Sequence, residues 1–171
     1  MIHAVHHVSI STRSIDRMLT FYRDLLKLPQ VLDYAVADNP MFDTVVGLKG
    51  SRARCVMLQA GNTFIEFWEY ASPQGRDPIQ DRPVCDSGLT HLCFDVDDAR
   101  AEYERLARAG VRFESEPQDM GTVVTSYARD PDGNLVEIRQ GRAGSVVAMS
   151  PAVLEASKSI LGRNSADFQE R

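Results

Sequence analysis

The sequence predicts an α+β fold in which one unit, a strand followed by a helix and about three further strands, occurs twice in tandem. His7 and His91 each lie near the start of an apolar strand, and each lies seven residues before a helix start. Each half then ends on an apolar strand with one acidic residue, Glu66 in the first half and Glu137 in the second. A single unit would leave a bare sheet edge and an uncovered face, so we expect the two units to pair in one molecule.

The first half begins with alternating residues at 5–11, a pattern that indicates a half-buried strand. Apolar residues at helical spacing predict a helix over 14–26, with Ser14 as the N-cap and Pro29 beyond its end. Turn residues separate the weaker strand patterns that follow, which lie at 31–36, 42–48, 53–59 and 63–70. We expect a longer loop within 33–50 to account for the greater length of this half.

Residues 71–88 contain three prolines and two glycines and are predicted to connect the two halves. A strand over 91–96 and a helix ending near Ala109 follow, and Gly110 is placed for a left-handed cap. Further strands are expected at 111–114, 123–128 and 135–139. After residue 141, Ser150 and Pro151 are typical of a helix start, and the helix should end before Gly162 and serve packing or a dimer contact. Residues from 164 onward are expected to fray.

Composition restricts the classes of protein that this chain can belong to. The chain has 171 residues, of which 43% are hydrophobic and 25% charged, as in ordinary globular proteins. A net charge of −5 provides no basic surface for nucleic acid. There is no apolar stretch of membrane-spanning length and no signal-peptide pattern at the start, so we expect a cytoplasmic protein. Three cysteines without metal-binding spacing favour neither a disulfide framework nor a zinc knuckle.

Two histidines and two glutamates at equivalent places in the two halves form the candidate metal site: His7, Glu66, His91 and Glu137. Imidazole nitrogen and carboxylate oxygen suit one divalent ion such as nickel, cobalt, zinc or manganese. The structural alternative is that each histidine is an ordinary hydrogen-bonded residue. Under that alternative, the costly burial of each glutamate is offset by an arginine, with Arg54 and Arg139 as candidates.

Neighbouring side chains qualify this hypothesis. Neighbouring strand residues point to opposite faces, so only one of His6 and His7 can enter the site, and the repeat favours His7. By the same alternation, Glu69 lies on the face opposite to the candidate ligands and should be solvated. Cys93 shares the face of His91 but is more typical of a small core residue. Two aromatic residues could line an apolar pocket or simply pack beside Glu66, namely Phe64 and Trp68.

The chain resembles the vicinal oxygen chelate superfamily, which includes glyoxalase I, methylmalonyl-CoA epimerase, extradiol dioxygenases and fosfomycin and bleomycin resistance proteins. The similarity covers roughly residues 5–140 and rests on the motifs His7-Val8, Phe64-Ile65-Glu66, Gly88-Leu89-Thr90-His91 and Asp130-Pro131-Asp132-Gly133-Asn134-Leu135-Val136-Glu137. The resemblance implies tandem βαβββ modules forming one cupped mixed sheet around a metal, as one domain over 1–140. The modules would cover about 5–70 and 89–140, with a helical extension over 141–171 and a homodimer as the assembly.

The resemblance also implies a metal-dependent lyase or isomerase that chelates a small substrate through two neighbouring oxygens and stabilises an enediolate. Glu66 and Glu137 would be ligands that also act as the catalytic base, as in glyoxalase I. Several motifs are similar to acyl-CoA epimerases, but no acidic residue occurs between Thr44 and Gln59, where that branch places its base. Two alternatives stay open. One is an Fe(II) extradiol-type dioxygenase using His7, His91 and Glu137, and the other is a non-catalytic drug-binding resistance protein.

Overall fold

The structure is a computed structural model that describes residues 1–77, 80–142, 145, 149 and 151–161. The chain forms two compact units, one made of residues 1–77 with 150–171 and the other of residues 78–149. Each unit contains one four-stranded mixed sheet with a helix after its first strand. The predicted tandem repeat is confirmed. We expected all strands in one cupped sheet, whereas the structure divides them between two sheets, one in each module.

The first unit contains four strands, and its first helix continues into π-helical turns. Its elements are β1 (His7–Thr12), α1 (Ile15–Leu19) with π-helical turns over Thr20–Leu25, β2 (Gln30–Ala37), α2 (Pro40–Val46), β3 (Arg52–Ala60) and β4 (Thr63–Ser72). The sheet order is β1-β4-β3-β2, in which β1 runs parallel to β4 and the other pairs are antiparallel. The parallel pairing makes the first and last strands of the module neighbours, although they are far apart in the chain.

The core of this unit lies between α1 with its π-helical turns and one face of the sheet. Ser14 caps the helix as predicted, since its side chain accepts a hydrogen bond from the Arg17 backbone N–H at 3.3 Å. Helix residues such as Ile15 and Tyr22 are fully buried, and so is Phe67 on β4, whose ring centroid lies 5.0 Å from that of Tyr22. Because strand residues alternate, the opposite face of β4 is left for Glu66.

Helix α2 replaces the strand that we predicted at 42–48, so that prediction is wrong. The side chain of Asn39 caps the helix by accepting the backbone N–H groups of Met41 and Phe42, both at 3.1 Å, and Pro40 occupies the first turn. Gly47, at φ +70°, ends it in the left-handed conformation. These capping signals outweigh the β-branched residues that suggested a strand. The additional residues that make the first half longer than the second lie within 33–50, as predicted.

The second unit repeats the arrangement without a counterpart of α2 among the residues that the structure describes. Its elements are β5 (His91–Asp95), α3 (Ala99–Arg108), β6 (Gln118–Asp119), β7 (Val123–Arg129) and β8 (Leu135–Gly141). The sheet order is β5-β8-β7-β6, and β5 runs parallel to β8. The Asp98 side chain caps α3, and Gly110 follows it at φ +86°, as predicted. Buried residues Ala99 and Leu106 of α3 contribute to the core of this unit.

The strand predicted at 111–114 is reduced to a short pairing. Phe113 forms an isolated bridge with Ala128, flanked by two backbone hydrogen bonds of 2.8 and 2.9 Å, and the edge strand is β6 instead. Pro117 has no backbone N–H to donate, so regular pairing is interrupted between the two segments.

The C-terminal helix α4 (Pro151–Leu161) forms where the sequence predicted it and contacts β3. Val153 and Leu154 on its apolar side are half-buried, in keeping with the predicted packing role. The fraying expected from residue 164 onward concerns residues outside those that the structure describes. Among the described residues, no helix combines the length and apolar character needed to cross a bilayer.

Candidate functional site

In the first unit, the parallel pairing of β1 with β4 brings His7 and Glu66 onto the same face of the sheet. His7 Nε2 lies 3.8 Å from Glu66 Oε2, and the two side chains are 40% and 13% exposed. The Cys55 thiol lies 3.5 Å from the other oxygen, Glu66 Oε1, as a weak hydrogen-bond donor. Two potential ligands that are 59 residues apart in the chain are thus adjacent in space.

The second unit contains the equivalent pair in a tighter arrangement. His91 Nε2 lies 3.1 Å from Glu137 Oε2, and the side chains are 28% and 14% exposed. The Thr125 hydroxyl donates a hydrogen bond of 2.7 Å to Glu137 Oε1, while the Tyr127 hydroxyl lies 3.5 Å from Oε2. On the other side, His91 Nδ1 is 2.9 Å from the Thr90 hydroxyl. These contacts hold His91 Nε2 and Glu137 Oε2 side by side.

The distances within each pair suit a shared divalent ion. Nitrogen and oxygen ligands lie about 2.0–2.2 Å from zinc, so two donors at 90° to 110° are separated by roughly 2.9–3.5 Å. The second pair already has such a separation, and the first pair, at 3.8 Å, would close by a few tenths of an ångström. Each unit described by itself supplies one such pair. Nowhere in the described ranges do three or more His, Cys, Asp or Glu side chains form a ready-made metal cluster.

The alternative in which arginine neutralises the two glutamates is wrong. Arg54 forms hydrogen-bonded ion pairs with Asp33 at 2.8 Å and Asp16 at 3.0 Å, on the helix-covered side of the sheet. Arg139 pairs with Asp95 on the neighbouring strand. Both arginines therefore form ion pairs with aspartates. Each of the two glutamates instead lies beside a histidine and accepts weak or neutral hydrogen-bond donors.

Three expectations about the surroundings are corrected. Glu69 lies on the opposite face as predicted, yet it is half-buried and accepts the Ile15 backbone N–H at 2.8 Å instead of being solvated. Cys93 is exposed, so it is no core residue. His6 precedes β1, so strand alternation does not exclude it from this face. Its ring stacks on Phe64, and its Nδ1 lies 2.9 Å from His7 Nδ1.

The cysteines beside the glutamates are neutral thiols rather than thiolates. Burial raises the pKa of Cys55 to about 12, and the negative charge of Glu66 adds to this effect. The pKa of Cys93 is likewise raised to about 12, first by desolvation of the sulfur and then by Glu137, although the residue as a whole is exposed.

Trp68, on the same face as Glu66, is packed rather than open. It is 9% exposed, stacks on Phe42 of α2 at 5.2 Å and on Tyr70 at 5.9 Å, and meets Tyr34 edge-on at 5.7 Å. Of the two roles considered for it, packing is the one that the structure shows.

The sequence analysis did not identify three residues that contact the site or pack beside it: Thr125, Tyr127 and Phe42. Thr125 and Tyr127 occupy alternate positions of β7, on the face of the sheet that carries Glu137. This alternation is the sequence signal that could have identified them. Phe42 was assigned to a strand, so its packing against Trp68 could not be foreseen.

Several known proteins are similar to this chain over most of its length. A family model described as the Glyoxalase/Bleomycin resistance protein/Dioxygenase superfamily matches residues 4–138. A lactoylglutathione lyase of Neisseria meningitidis serogroup A is 39% identical over 142 residues, which cover 81% of this chain and 91% of the relative. Human mitochondrial methylmalonyl-CoA epimerase is 25% identical over 145 residues, covering 80% and 73% of the two chains.

Two further matches are shorter in sequence or rest on structure. The chain is 39% identical to the uncharacterised protein YurT of Bacillus subtilis over 59 residues, which span less than half, 46%, of that relative. A crystal structure of a glyoxalase family protein from Bacillus cereus superposes with a TM-score of 0.74 at 22% identity, covering 82% of this chain and 95% of the other. The structural match shows a shared fold.

Proposed function

The chain belongs to the Glyoxalase/Bleomycin resistance protein/Dioxygenase superfamily, and from this premise we propose that it is a metal-dependent lyase of the glyoxalase I type. In this proposal His7, Glu66, His91 and Glu137 together hold one divalent ion, either nickel, cobalt, zinc or manganese. The substrate is a small molecule with two neighbouring oxygens. The observation that carries the proposal is the repeated His–Glu pair, with Nε2–Oε2 distances of 3.8 and 3.1 Å on equivalent strands of the two modules.

The donor set of the pairs supports a catalytic rather than a structural metal. A closed structural zinc site normally includes thiolates, whereas the two pairs consist of imidazole and carboxylate. His7, Glu66, His91 and Glu137 would hold the ion, and the substrate oxygens would bind it beside them. When bound, the ion would supply Lewis-acid stabilisation of the negative charge that develops on those oxygens.

The protein's own groups would move the proton. Glu66 and Glu137 each have one oxygen near a histidine, and either carboxylate could accept a proton from the carbon beside a carbonyl and return it to the neighbouring carbon. Thr125 fixes the orientation of Glu137 through the 2.7 Å hydrogen bond, so it acts as a positioning residue. The low exposure of both carboxylates limits competing exchange of that proton with water.

The lyase is favoured over the acyl-CoA epimerase for two reasons. The lactoylglutathione lyase is the more similar relative, with 39% identity against 25% for the epimerase. In addition, β3 contains no acidic residue that could serve as the separate base of the epimerase pattern. A homodimer remains a prediction from the resemblance, and a cytoplasmic location remains a prediction from the sequence pattern.

Metal reloading tests the proposal. Purified protein would be stripped with chelator, reloaded separately with nickel, cobalt, zinc, manganese or ferrous iron, and assayed for S-lactoylglutathione formation from methylglyoxal and glutathione. We expect activity only after reloading, and we expect His7→Ala and His91→Ala to lose both metal and turnover. His3→Ala is the matched control because His3 is an exposed histidine that belongs to neither pair.

Three results would count against the proposal. The first is equal activity of stripped and loaded protein, and the second is full activity of His7→Ala. The third is catechol ring cleavage by the iron-loaded form without lyase activity, which would identify a dioxygenase instead. Glu137→Gln separates the two roles of the carboxylate, because the amide oxygen can still bind metal but cannot take up the proton. We expect this variant to retain metal and to lose turnover.

A further inference from the structure

In the first unit, the residue before the proposed ligand His7 contacts the ring nitrogen that is not directed at Glu66. His7 Nε2 lies 3.8 Å from Glu66 Oε2, whereas His7 Nδ1 lies 2.9 Å from Nδ1 of His6. The His6 ring stacks on Phe64 with the centroids 5.1 Å apart and an interplanar angle of 28°. The Thr63 hydroxyl also donates to the His6 carbonyl at 3.0 Å. These contacts fix the position from which His6 presents its Nδ1 to His7.

The second unit has the same kind of contact at the equivalent position. His91 Nε2 lies 3.1 Å from Glu137 Oε2, and His91 Nδ1 lies 2.9 Å from the Thr90 hydroxyl. Thr90 corresponds to His6 in the repeat, since 90 minus 6 and 91 minus 7 both equal 84. His7 and His91 are the first residues of their strands, so strand alternation does not direct the preceding side chain to the opposite face. The repeat therefore includes a third position beside each His–Glu pair.

The chemistry of imidazole gives this position a role. A neutral imidazole has one N–H group and one lone pair, on different nitrogens. If Nε2 binds a metal ion, the proton lies on Nδ1, and metal-bound histidines donate this proton to a neighbouring group. His6 Nδ1 and Thr90 Oγ1 lie at hydrogen-bond distance from the two Nδ1 atoms. Both can accept, because a hydroxyl has lone pairs and His6 Nδ1 has one when its own proton is on Nε2.

Without an ion, the second pair favours the opposite tautomer of His91. At 3.1 Å, its Nε2–H group can donate to the Glu137 carboxylate, and a charged acceptor gives a stronger hydrogen bond than a hydroxyl does. The lone pair is then on Nδ1, and the Thr90 hydroxyl can rotate and donate to it. A group that both donates and accepts therefore suits both states of the site, whereas an alkyl side chain would suit neither.

We propose that His6 and Thr90 are positioning residues that accept the Nδ1 proton of His7 and His91, so that both Nε2 lone pairs face the ion. This assignment rests on the proposed function, because it takes His7 and His91 as metal ligands. On metal binding, the single ring proton of His91 moves from Nε2 to Nδ1 by exchange with water, and the Thr90 hydroxyl changes from donor to acceptor. In the first unit the ring proton of His6 lies on Nε2 and that of His7 on Nδ1. The imidazoles thus release no net proton.

Nuclear magnetic resonance of nitrogen-15-labelled protein tests the assignment, because long-range correlations show which ring nitrogen of a histidine carries the proton. Competition with a chromophoric chelator would measure the zinc affinity of the same samples. His6→Phe keeps an aromatic ring beside Phe64 but has no acceptor, and Thr90→Val keeps the side-chain shape but has no hydroxyl. His6→Thr and Thr90→Ser each keep a hydroxyl at the position and serve as rescue variants.

Each disruptive variant has a matched control in its own unit. His3→Phe is the control for His6→Phe, because His3 is an exposed histidine that belongs to neither pair. Thr122→Val is the control for Thr90→Val, because Thr122 is an exposed threonine that directly precedes a strand, β7. Circular dichroism would confirm that all variants keep the fold.

In the wild type, we expect Nδ1–H in both His7 and His91 of the zinc-loaded protein and Nε2–H in His91 of the metal-free protein. His6→Phe and Thr90→Val should each lower the zinc affinity by about tenfold or more, as expected for groups that orient metal ligands. The two rescue variants and the two controls should stay within about threefold of the wild type, a difference of less than 1 kcal/mol.

Zinc bound through Nδ1 of either His7 or His91 would overturn the proposal. Unchanged affinity in His6→Phe and Thr90→Val would do so too, and so would rescue variants that bind as weakly as these two. Failure of the proposed function would appear differently. If zinc binds with the expected tautomers and the variants weaken it as expected, but no metal-loaded form has lyase activity, the positioning role stands and the glyoxalase I assignment fails.

Discussion

Thr125→Val removes a single hydroxyl that bonds to a proposed metal ligand and leaves the shape of the side chain almost unchanged. The Thr125 hydroxyl donates to Glu137 Oε1 at 2.7 Å, and it also approaches the carbonyl of Ile138 at 3.2 Å. Valine is β-branched like threonine and suits a strand, so we expect the sheet to remain intact. What changes is the orientation of the carboxylate that faces His91.

The size of the effect follows from the hydrogen bond and from the burial of its acceptor. A hydrogen bond to a charged group contributes about 1.5–3 kcal/mol, which corresponds to roughly 10- to 100-fold in an equilibrium constant. Glu137 is 14% exposed, so water can replace part of the lost interaction. We therefore expect the affinity for the divalent ion to fall by about tenfold, at the lower end of the range for groups that orient metal ligands.

Competition with a chromophoric chelator would measure this affinity, and circular dichroism would confirm that the fold is unchanged. Thr44→Val is the matched control, since the Thr44 hydroxyl donates to the carbonyl of Pro40 within α2 and contacts neither His–Glu pair among the described residues. Metal affinity within twofold of the wild type in Thr125→Val would refute the inference that this hydroxyl positions Glu137. Equal losses in both variants would refute it as well.

Three further predictions concern the fold. Phe42→Ala should uncover Trp68, the single tryptophan of the chain, and shift its fluorescence emission to longer wavelength; an unchanged spectrum would contradict the observed stacking at 5.2 Å. Leu106→Ala, at a fully buried position of α3, should lower the free energy of unfolding by about 2–5 kcal/mol in a denaturant titration. Asp33 has a pKa lowered below its ordinary 3.8 because the Arg54 side chain donates hydrogen bonds to it. Its stabilising contribution is present above about pH 4 and lost as the pH falls through the folded-state pKa, so Asp33→Asn should flatten the acid-side decline of Tm.

The repeat made much of the fold and the two His–Glu pairs predictable. Equivalent positions of His7 and His91 implied equivalent strands, and parallel pairing of first and last strands then brings each histidine near its glutamate. Helix α2 was not predicted, because the β-branched side chains of residues 42–48 suggested a strand. Asn39, which caps the helix, was interpreted as part of a break between strands. The capping residues Asn39 and Gly47 outweigh this weak propensity signal.

The environment of the site could not be read from the sequence. Arg54 was a reasonable partner for Glu66 by position, yet it points to the helix-covered face and reaches Asp33 and Asp16. Thr125 and Tyr127 resemble ordinary polar residues of a half-exposed strand, and only the register of β7 against β8 shows that they meet Glu137. Hydrogen-bond partners depend on register and rotamer, which a sequence pattern does not specify.

The central claim is that both His–Glu pairs contribute to one ion, and the number of imidazole ligands tests it most directly. X-ray absorption spectroscopy of protein loaded with one equivalent of zinc or nickel distinguishes imidazole from other nitrogen and oxygen donors by multiple scattering from the ring. We predict two imidazoles per ion in the wild type. A single imidazole per ion would show that each pair binds metal by itself, and the absence of imidazole would contradict the site altogether.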